Sequence, residues 1–142
     1  MKDRMYVEID SKSCNESLAR MIVAAFLTTK LDMTLEELEE VRLAVSEAVT
    51  NAIIHGYQGG DGIVYLECIL EQNVFTVVIR DTGVGIANVP QAMKPMFTTK
   101  EDEERSGMGY SFMEAFMDRL DVESEVGKGT EIIMKKIIGK ID

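Results

Sequence analysis

The sequence predicts an α+β fold, with helices packed on one face of a mixed, mostly antiparallel sheet. Segments with the two-residue period of a strand and segments with the 3.6-residue period of a helix follow one another in the order β-α-α-β-β-loop-α-β-β. Short turns join the paired strands, which makes those pairs antiparallel hairpins. At 142 residues the chain has the length of one domain, and we expect a single domain over residues 1–142.

The N-terminal segment predicts a strand followed by a helix. Met5, Val7 and Ile9 alternate with polar residues, which is typical of a short strand. Ser13 and Glu16 have the spacing of a capping box and predict the start of a helix. The apolar stripe of that helix is Leu18, Met21, Ile22, Ala25 and Phe26.

A second, longer helix is predicted next. Thr34 and Glu37 repeat the capping-box spacing, and Gly56 is a suitable stop. The predicted core face is Leu38, Val41, Val45, Ala48, Val49 and Ala52.

The second half of the chain is predicted as two hairpins that flank a long loop and a helix. The predicted bounds are 63–70 and 74–80 for the first pair of strands, 81–106 for the loop, 109–120 for the helix, and 121–126 and 130–138 for the last pair. A loop of this length inside a compact domain is usually functional or disordered.

Composition excludes several classes of function. The net charge is −10, from 25 acidic and 15 basic residues, so a nucleic-acid partner is not expected. Cys14, Cys68 and the single histidine, His55, are too few for a zinc set. The longest apolar run, residues 21–27, is too short to cross a bilayer, and the N-terminus has no signal core. We therefore expect a cytoplasmic protein that does not bind membranes.

The first candidate site is a polar row on the second helix. Glu47 and Asn51 are one i,i+4 step apart, and His55 continues the row by one more step. The row lies beside the apolar stripe and places a carboxylate and an amide at the margin of the core. A solvated polar helix face explains the row equally well.

Three glycine-containing segments are further candidates. Asp81 ends a predicted strand and is followed by Gly83 and Gly85, which let the backbone approach a planar ligand closely. Residues 106–109 (Ser-Gly-Met-Gly) enter the third helix, where free N–H groups can bind phosphate. Residues 129–130 (Gly-Thr) begin the last strand. Each segment alone is also explained by an ordinary turn.

The order of these four motifs resembles that of the GHKL ATP-binding family. A Glu-x-x-x-Asn helix, a strand ending in Asp-x-Gly-x-Gly, a loop of lid length, a Gly-x-Gly helix start and a late Gly-Thr follow one another over residues 5–138. The resemblance implies the Bergerat sandwich of that family, with an ATP lid at about residues 87–109.

The resemblance also implies ATP or ADP with Mg²⁺ as the ligands, and a role for each motif residue. Asn51 would bind Mg²⁺ through its amide oxygen. Asp81 would hold the adenine amino group with support from Thr130, and Glu47 would be the general base. The remaining nucleotide contacts that it implies are Gly83, Gly85, Thr98, Thr99, Arg105, Gly107, Met108 and Gly109, with Arg105 offsetting charge in the transition state.

Longer runs indicate the branch of the family. Residues 46–57, 97–100 and 105–109 resemble bacterial anti-sigma factor serine kinases. The second glycine of the loop, Gly85, is more similar to the sporulation anti-sigma F branch than to the general-stress branch. The chain has no room for the extra domain of gyrase-type ATPases, and His55 lies where it cannot be the acceptor of a histidine kinase.

This resemblance implies two activities. A homodimer would bind a sigma factor, and it would phosphorylate a serine of a small anti-anti-sigma protein. Arg20 is a candidate partner contact, with a solvated helix arginine as the alternative. An anti-sigma factor of the general-stress branch, a non-catalytic module gated by ATP and a plain ATPase remain open.

Overall fold

The structure is a computed structural model, and it describes residues 1–93 and 110–139. The described elements are β1 (Lys2–Asp10), α1 (Asn15–Thr28), α2 (Leu35–Thr50), a π-helical turn (Asn51–Gly56), β2 (Ile63–Glu71), β3 (Val74–Asp81), the short helix α3 (Val89–Ala92), α4 (110–116), β4 (Arg119–Glu125) and β5 (Gly129–Ile137). The predicted order of strands and helices is confirmed, and α3 is an addition inside the predicted loop.

The five described strands form one sheet in the order β1-β2-β3-β5-β4. All four pairings are antiparallel, so the described strands include no parallel pair of the kind that a mixed sheet would contain. β3 is central, and Asp81 at its end lies opposite Thr130 near the start of β5. The sheet therefore brings two of the predicted site residues together by register alone.

The core lies between one face of the sheet and the helices. Alternate residues of β3, namely Phe75, Val77 and Ile79, are buried on the inner face, while the residues between them are partly exposed. Burying each such side chain contributes about 1.5–3 kcal/mol. The fully buried residues of α1 and α2 that meet this face include Ala19, Val23, Leu27, Val41, Ala44, Val45, Ala48 and Val49. The prediction of helices on one face of a sheet is confirmed.

Of the two predicted capping boxes, only the second forms. Thr34 has the extended backbone of an N-cap, its side chain accepts from the Glu37 N–H, and the Glu37 side chain accepts from the Thr34 N–H. The box predicted at Ser13 and Glu16 is wrong. α1 begins at Asn15, and the residue in the N-cap position, Cys14, is in the helical region without a side-chain cap. A capping side chain needs an extended N-cap backbone to reach the N–H of the N3 residue.

The second half departs from prediction at one helix end. The helix expected to reach Leu120 ends at residue 116, and Leu120 instead pairs with Met134 in the sheet. A buried lysine, Lys136, donates from Nζ to the Phe116 carbonyl at 2.6 Å and so satisfies one of the last carbonyls of α4. Strand pairing with β5 therefore overrides the helical pattern after residue 116.

α2 continues into a wider turn rather than ending. Asn51–Gly56 is π-helical, and the Tyr57 N–H donates to the Ala52 carbonyl, five residues back, at 2.9 Å. The predicted stop at Gly56 is confirmed as the last residue of this turn. No helix in the described ranges is both long and apolar enough to span a lipid bilayer.

Candidate functional site

A cavity of about 230 Å³ opens between the end of α2, the π turn and the ends of β3 and β5. Its apolar wall consists of Ala48, Ala52, Ile79, Ile86, Ala92 and Ile132. Its polar residues are Asn51, His55, Asp81, Tyr110 and Thr130. Two facing apolar layers with a few convergent polar groups are typical of a small-molecule site.

Asn51 is the first residue of the π turn, and its side chain faces the cavity. The residue is only 8% exposed, and its Nδ2 is buried without a hydrogen-bond partner among the described residues. An unsatisfied buried amide costs about 1–3 kcal/mol. Such a cost is commonly retained where a ligand completes the hydrogen bonding.

Asp81 is the last residue of β3 and is 5% exposed. Its Oδ1 accepts from the Gly83 N–H at 2.9 Å, and the Thr130 N–H also donates to the carboxylate. Burial raises the pKa of Asp81 above its usual range, although these two hydrogen bonds and the Arg80 charge oppose the shift. A carboxylate has about four lone-pair directions. Asp81 can therefore also accept from an N–H donor in the cavity.

Tyr110 closes the cavity from α4 and was not predicted as a site residue. It is 2% exposed, and burial, followed by the Asp81 charge, raises the pKa of its hydroxyl to about 12. The Asn51 side chain lies near that hydroxyl and acts in the opposite direction on the pKa, although Nδ2 makes no hydrogen bond of normal geometry with it. The phenol thus stays neutral beside the Asn51 amide and the Asp81 carboxylate.

Positions 83 and 85 require glycine for a structural reason, in addition to the close approach to a ligand that is predicted from sequence. A Cβ at Gly83 would overlap the Gly56 carbonyl, which accepts from the Val84 N–H at 2.9 Å. Gly85 has φ +77°, and a Cβ there would overlap the Glu125 carbonyl. Gly85 lines the cavity, and Gly83 is not on its wall among the described residues. Both glycines let the loop fit against the protein's own backbone.

Thr130 is held by its neighbour on β4. The Ser124 and Thr130 hydroxyls are 2.8 Å apart, and the Ser124 hydroxyl also accepts from the Ile86 N–H at 2.7 Å. Thr130 is 8% exposed and lines the cavity next to Asp81. Ser124 thereby joins β5 to the loop that carries the two glycines.

Two predicted residues lie away from the cavity wall. Glu47 is partly buried on α2, one turn before Asn51, and among the described residues it is not part of that wall. Arg20, predicted on the exposed side of α1, is half-buried, with 35% of its side chain exposed. Its Nε is 3.2 Å from the Glu16 carboxylate. A partner contact by Arg20 would compete with this ion pair.

Six predicted nucleotide contacts fall outside the described residues. They are Thr98, Thr99, Arg105, Gly107, Met108 and Gly109, and the predicted lid at 87–109 is described only up to residue 93.

The apolar wall of the cavity and Tyr57 were also not predicted as parts of the site from the sequence. Tyr57 directly follows the π turn, and its hydroxyl lies 2.8 Å from the Thr82 nitrogen in the Asp81 loop. The wall residues read as ordinary core positions, because only tertiary packing shows which core residues border a cavity. The one available signal for Tyr57 was its position immediately after the predicted helix stop.

The residues present fit an adenine nucleotide. The apolar wall suits a flat aromatic base, and Asp81 can accept from an exocyclic amine. Asn51 Nδ2 has no hydrogen-bond partner of normal geometry among the described residues. Among the described residues, His, Cys, Asp and Glu side chains nowhere gather in threes as a metal site. Mg²⁺ commonly uses one or two protein oxygens together with substrate phosphates, which is consistent with Asn51 as a single protein ligand.

Comparisons with known proteins agree with this geometry. The model of the histidine kinase-like ATPase domain matches residues 11–136. The chain is 50% identical to an anti-sigma F factor of Clostridium acetobutylicum, over 100% of this chain and 99% of the relative. It is also 51% identical to an anti-sigma F factor of Geobacillus thermodenitrificans, over 99% of this chain and 96% of the relative. A third, of Clostridium kluyveri, is 52% identical over 96% of each chain.

Proposed function

This chain belongs to the histidine kinase-like ATPase family, in the group of the anti-sigma F factors, and on that premise we propose that it is a protein-serine kinase and an inhibitor of a sporulation sigma factor. As a homodimer in the cytoplasm it binds the sigma factor and keeps it from RNA polymerase. It also transfers the γ-phosphate of Mg²⁺-ATP to a serine of an anti-anti-sigma factor. The observation that carries this proposal is the Asn51–Asp81 cavity in a chain matched along its whole length by anti-sigma F factors.

The proposed roles are those that the family resemblance implies, and the positions of Asp81, Thr130 and Asn51 at the cavity support them. Asp81 accepts from the adenine amino group while Thr130 supports it, and the apolar wall holds the ring. Asn51 supplies an amide oxygen to Mg²⁺, which when bound neutralises phosphate charge. Glu47, one helical turn away, takes the proton from the attacking serine hydroxyl. Glu47 is partly buried, so its carboxylate can contact a substrate while it is only partly solvated.

The first test is phosphoryl transfer with Glu47→Ala. The purified protein is given γ-labelled Mg²⁺-ATP and a candidate anti-anti-sigma protein, and labelled phosphoserine is measured. We expect Glu47→Ala to lower transfer by about 10²–10⁴-fold while ATP affinity is kept, because a general base acts on the chemical step.

Glu39→Ala is the matched control, since Glu39 lies on the same helix with 66% of its side chain exposed and pairs only with Arg42 in the described structure. It should transfer at the wild-type rate. Wild-type transfer by Glu47→Ala would remove Glu47 as the base. Label released only as free phosphate would favour a plain ATPase, and tight ATP binding without transfer would favour a non-catalytic module.

Regulation is tested by partner binding. The protein is mixed with the sporulation sigma factor or with the general-stress sigma factor, each with ATP or ADP, and complexes are measured by sedimentation. We expect a complex that contains two copies of this chain and the sporulation factor. Binding of the general-stress factor alone would assign the chain to the other branch.

A further inference from the structure

Tyr57 links three segments beside the Asp81 loop. Its hydroxyl donates to the Ile63 carbonyl at 2.5 Å and accepts from the Thr82 N–H at 2.8 Å. The same oxygen is 3.2 Å from the Thr82 hydroxyl. Its ring packs on Gly62, where an added Cβ would lie 2.5 Å from the ring carbons. The side chain is therefore fixed at both the ring and the hydroxyl.

The Tyr57 hydroxyl lies between two backbone groups that would otherwise form a direct hydrogen bond between β2 and β3. β2 and β3 pair with Tyr65 opposite Arg80, so continuing the register by two residues puts Ile63 opposite Thr82. There, the Thr82 N–H bonds to the Tyr57 hydroxyl, which bonds in turn to the Ile63 carbonyl. An oxygen atom is inserted where the two strands would otherwise bond directly. The end of β3 is thus held apart from β2 immediately after Asp81.

The neighbouring contacts make the position of Asp81 sensitive to this spacing. A Cβ at Gly56 would lie 2.7 Å from the Asp81 Cγ, so the carboxylate packs directly on the residue that precedes Tyr57. The Gly56 carbonyl accepts from the Val84 N–H at 2.9 Å, and Gly83 donates to Asp81. The loop is therefore fastened to the π turn just after Asp81, at Val84.

We propose that Tyr57 is a positioning residue that sets the Asp81 carboxylate at the distance required by an exocyclic amine of the purine. This inference rests on the proposed binding of ATP at this site. Removing the hydroxyl leaves the Thr82 N–H and the Ile63 carbonyl without their bridge, and the strand ends can then close on each other. The carboxylate moves with Thr82, and the hydrogen bond to the amine is lost while the rest of the nucleotide site is kept.

The test compares ATP with purine riboside triphosphate, which lacks the exocyclic amine. We expect Tyr57→Phe to weaken ATP binding about tenfold, as loss of one hydrogen bond to a charged group does, and to change the affinity for purine riboside triphosphate less than about twofold. Tyr65→Phe is the matched control, because Tyr65 lies on the other face of the sheet beneath Arg80, and it should leave both affinities unchanged.

A second variant guards against simple misfolding. Gly62→Ala keeps the hydroxyl but places a methyl group against the Tyr57 ring, and it should reproduce the selective loss for ATP. Circular dichroism and thermal unfolding identify the folded variants. An equal loss for both nucleotides, or no loss for ATP in the folded variants, overturns the inference for Tyr57. Failure of the wild type to bind ATP instead overturns the proposed function.

Discussion

At the scale of single residues, the site depends on keeping Asp81 charged while it is buried. Burial raises the pKa of Asp81, so the folded state binds a proton at this residue more tightly than the unfolded chain does. The stability contributed by that proton is present below the unfolded pKa of about 3.8 and is lost as the pH rises through the folded pKa. At neutral pH the buried carboxylate therefore costs stability, and a bound N–H donor offsets part of that cost.

The same shift predicts a pH dependence of nucleotide binding. As the pH falls from 7 through the raised pKa of Asp81, protonation removes an acceptor oxygen, and ATP affinity should fall roughly tenfold more in the wild type than in Asp81→Asn. Isothermal titration over a series of pH values from 7 downward measures both, and the difference cancels the titration of the phosphates themselves. Parallel pH profiles would show that Asp81 does not contact the base.

Among single residues, the sequence identified best those whose local backbone position and side-chain chemistry both indicate a site. Asn51 was a candidate because an amide in mid-helix conflicts with helix propensity, and Asp81 because a carboxylate and two glycines follow a strand; both residues line the cavity. Tyr110 and Tyr57 could not be identified, because their hydroxyls meet the site only through tertiary contacts. The placement of Glu47 off the cavity wall likewise depends on the phase of α2, which the sequence gives only approximately.

At the scale of elements, the π turn and the Asp81 loop behave as one unit. The Gly56 carbonyl is both a hydrogen-bond acceptor for Val84 and the atom that a side chain at Gly83 would overlap. The requirement for glycine at position 83 is therefore steric. It comes from the protein's own backbone and holds even before any nucleotide arrives.

Gly83→Ala should consequently lower the free energy of unfolding by more than about 2 kcal/mol and abolish ATP binding, because one backbone segment must move. Gly127→Ala is the control. Gly127 has φ +83° with nothing within 4 Å of an added Cβ, so only backbone strain of about 1 kcal/mol is expected. Urea unfolding monitored by circular dichroism measures both variants. Equal destabilisation would mean that the contact with Gly56 relaxes freely.

The two capping boxes show why the ends of elements were harder to predict than their order. Ser13–Glu16 and Thr34–Glu37 have the same spacing, yet only Thr34 takes the N-cap position, with an extended backbone, whereas the N-cap position of α1 falls on Cys14 in the helical region. Before α1, the chain is constrained by the Asn15 side chain, which donates to the Asp10 carbonyl at 2.8 Å. That constraint comes from the end of β1, and no pattern within the helix contains it.

At the scale of the whole molecule, nucleotide binding is expected to stabilise the entire domain. The cavity is bordered by α2, the π turn, β3, β5 and α4, so a ligand there contacts most elements of the sandwich. A cavity shared by so many elements transmits ligand binding to the global unfolding equilibrium rather than to one loop.

At a concentration of 100 times its dissociation constant, ATP should add about 2.7 kcal/mol to the free energy of unfolding and raise the melting temperature by about 10 °C. Differential scanning fluorimetry with Mg²⁺ and increasing ATP measures the shift. GTP, which lacks the amino group that Asp81 is expected to bind, should give a much smaller shift at the same concentration. Equal shifts with the two nucleotides would point to recognition of phosphates alone.

The π turn restricts where residues can be inserted into or deleted from this chain. A residue removed between Asn51 and Gly56 would convert the turn to an ordinary α-helix and rotate everything after it by about 100° relative to Asn51. The Gly56 carbonyl would then point away from Val84. Two residues after Gly56, the turn at Gln58 to Asp61 begins; it is exposed and can gain or lose a residue at little cost. Insertions and deletions should therefore accumulate in that turn and be eliminated from the six residues of the π turn, 51–56.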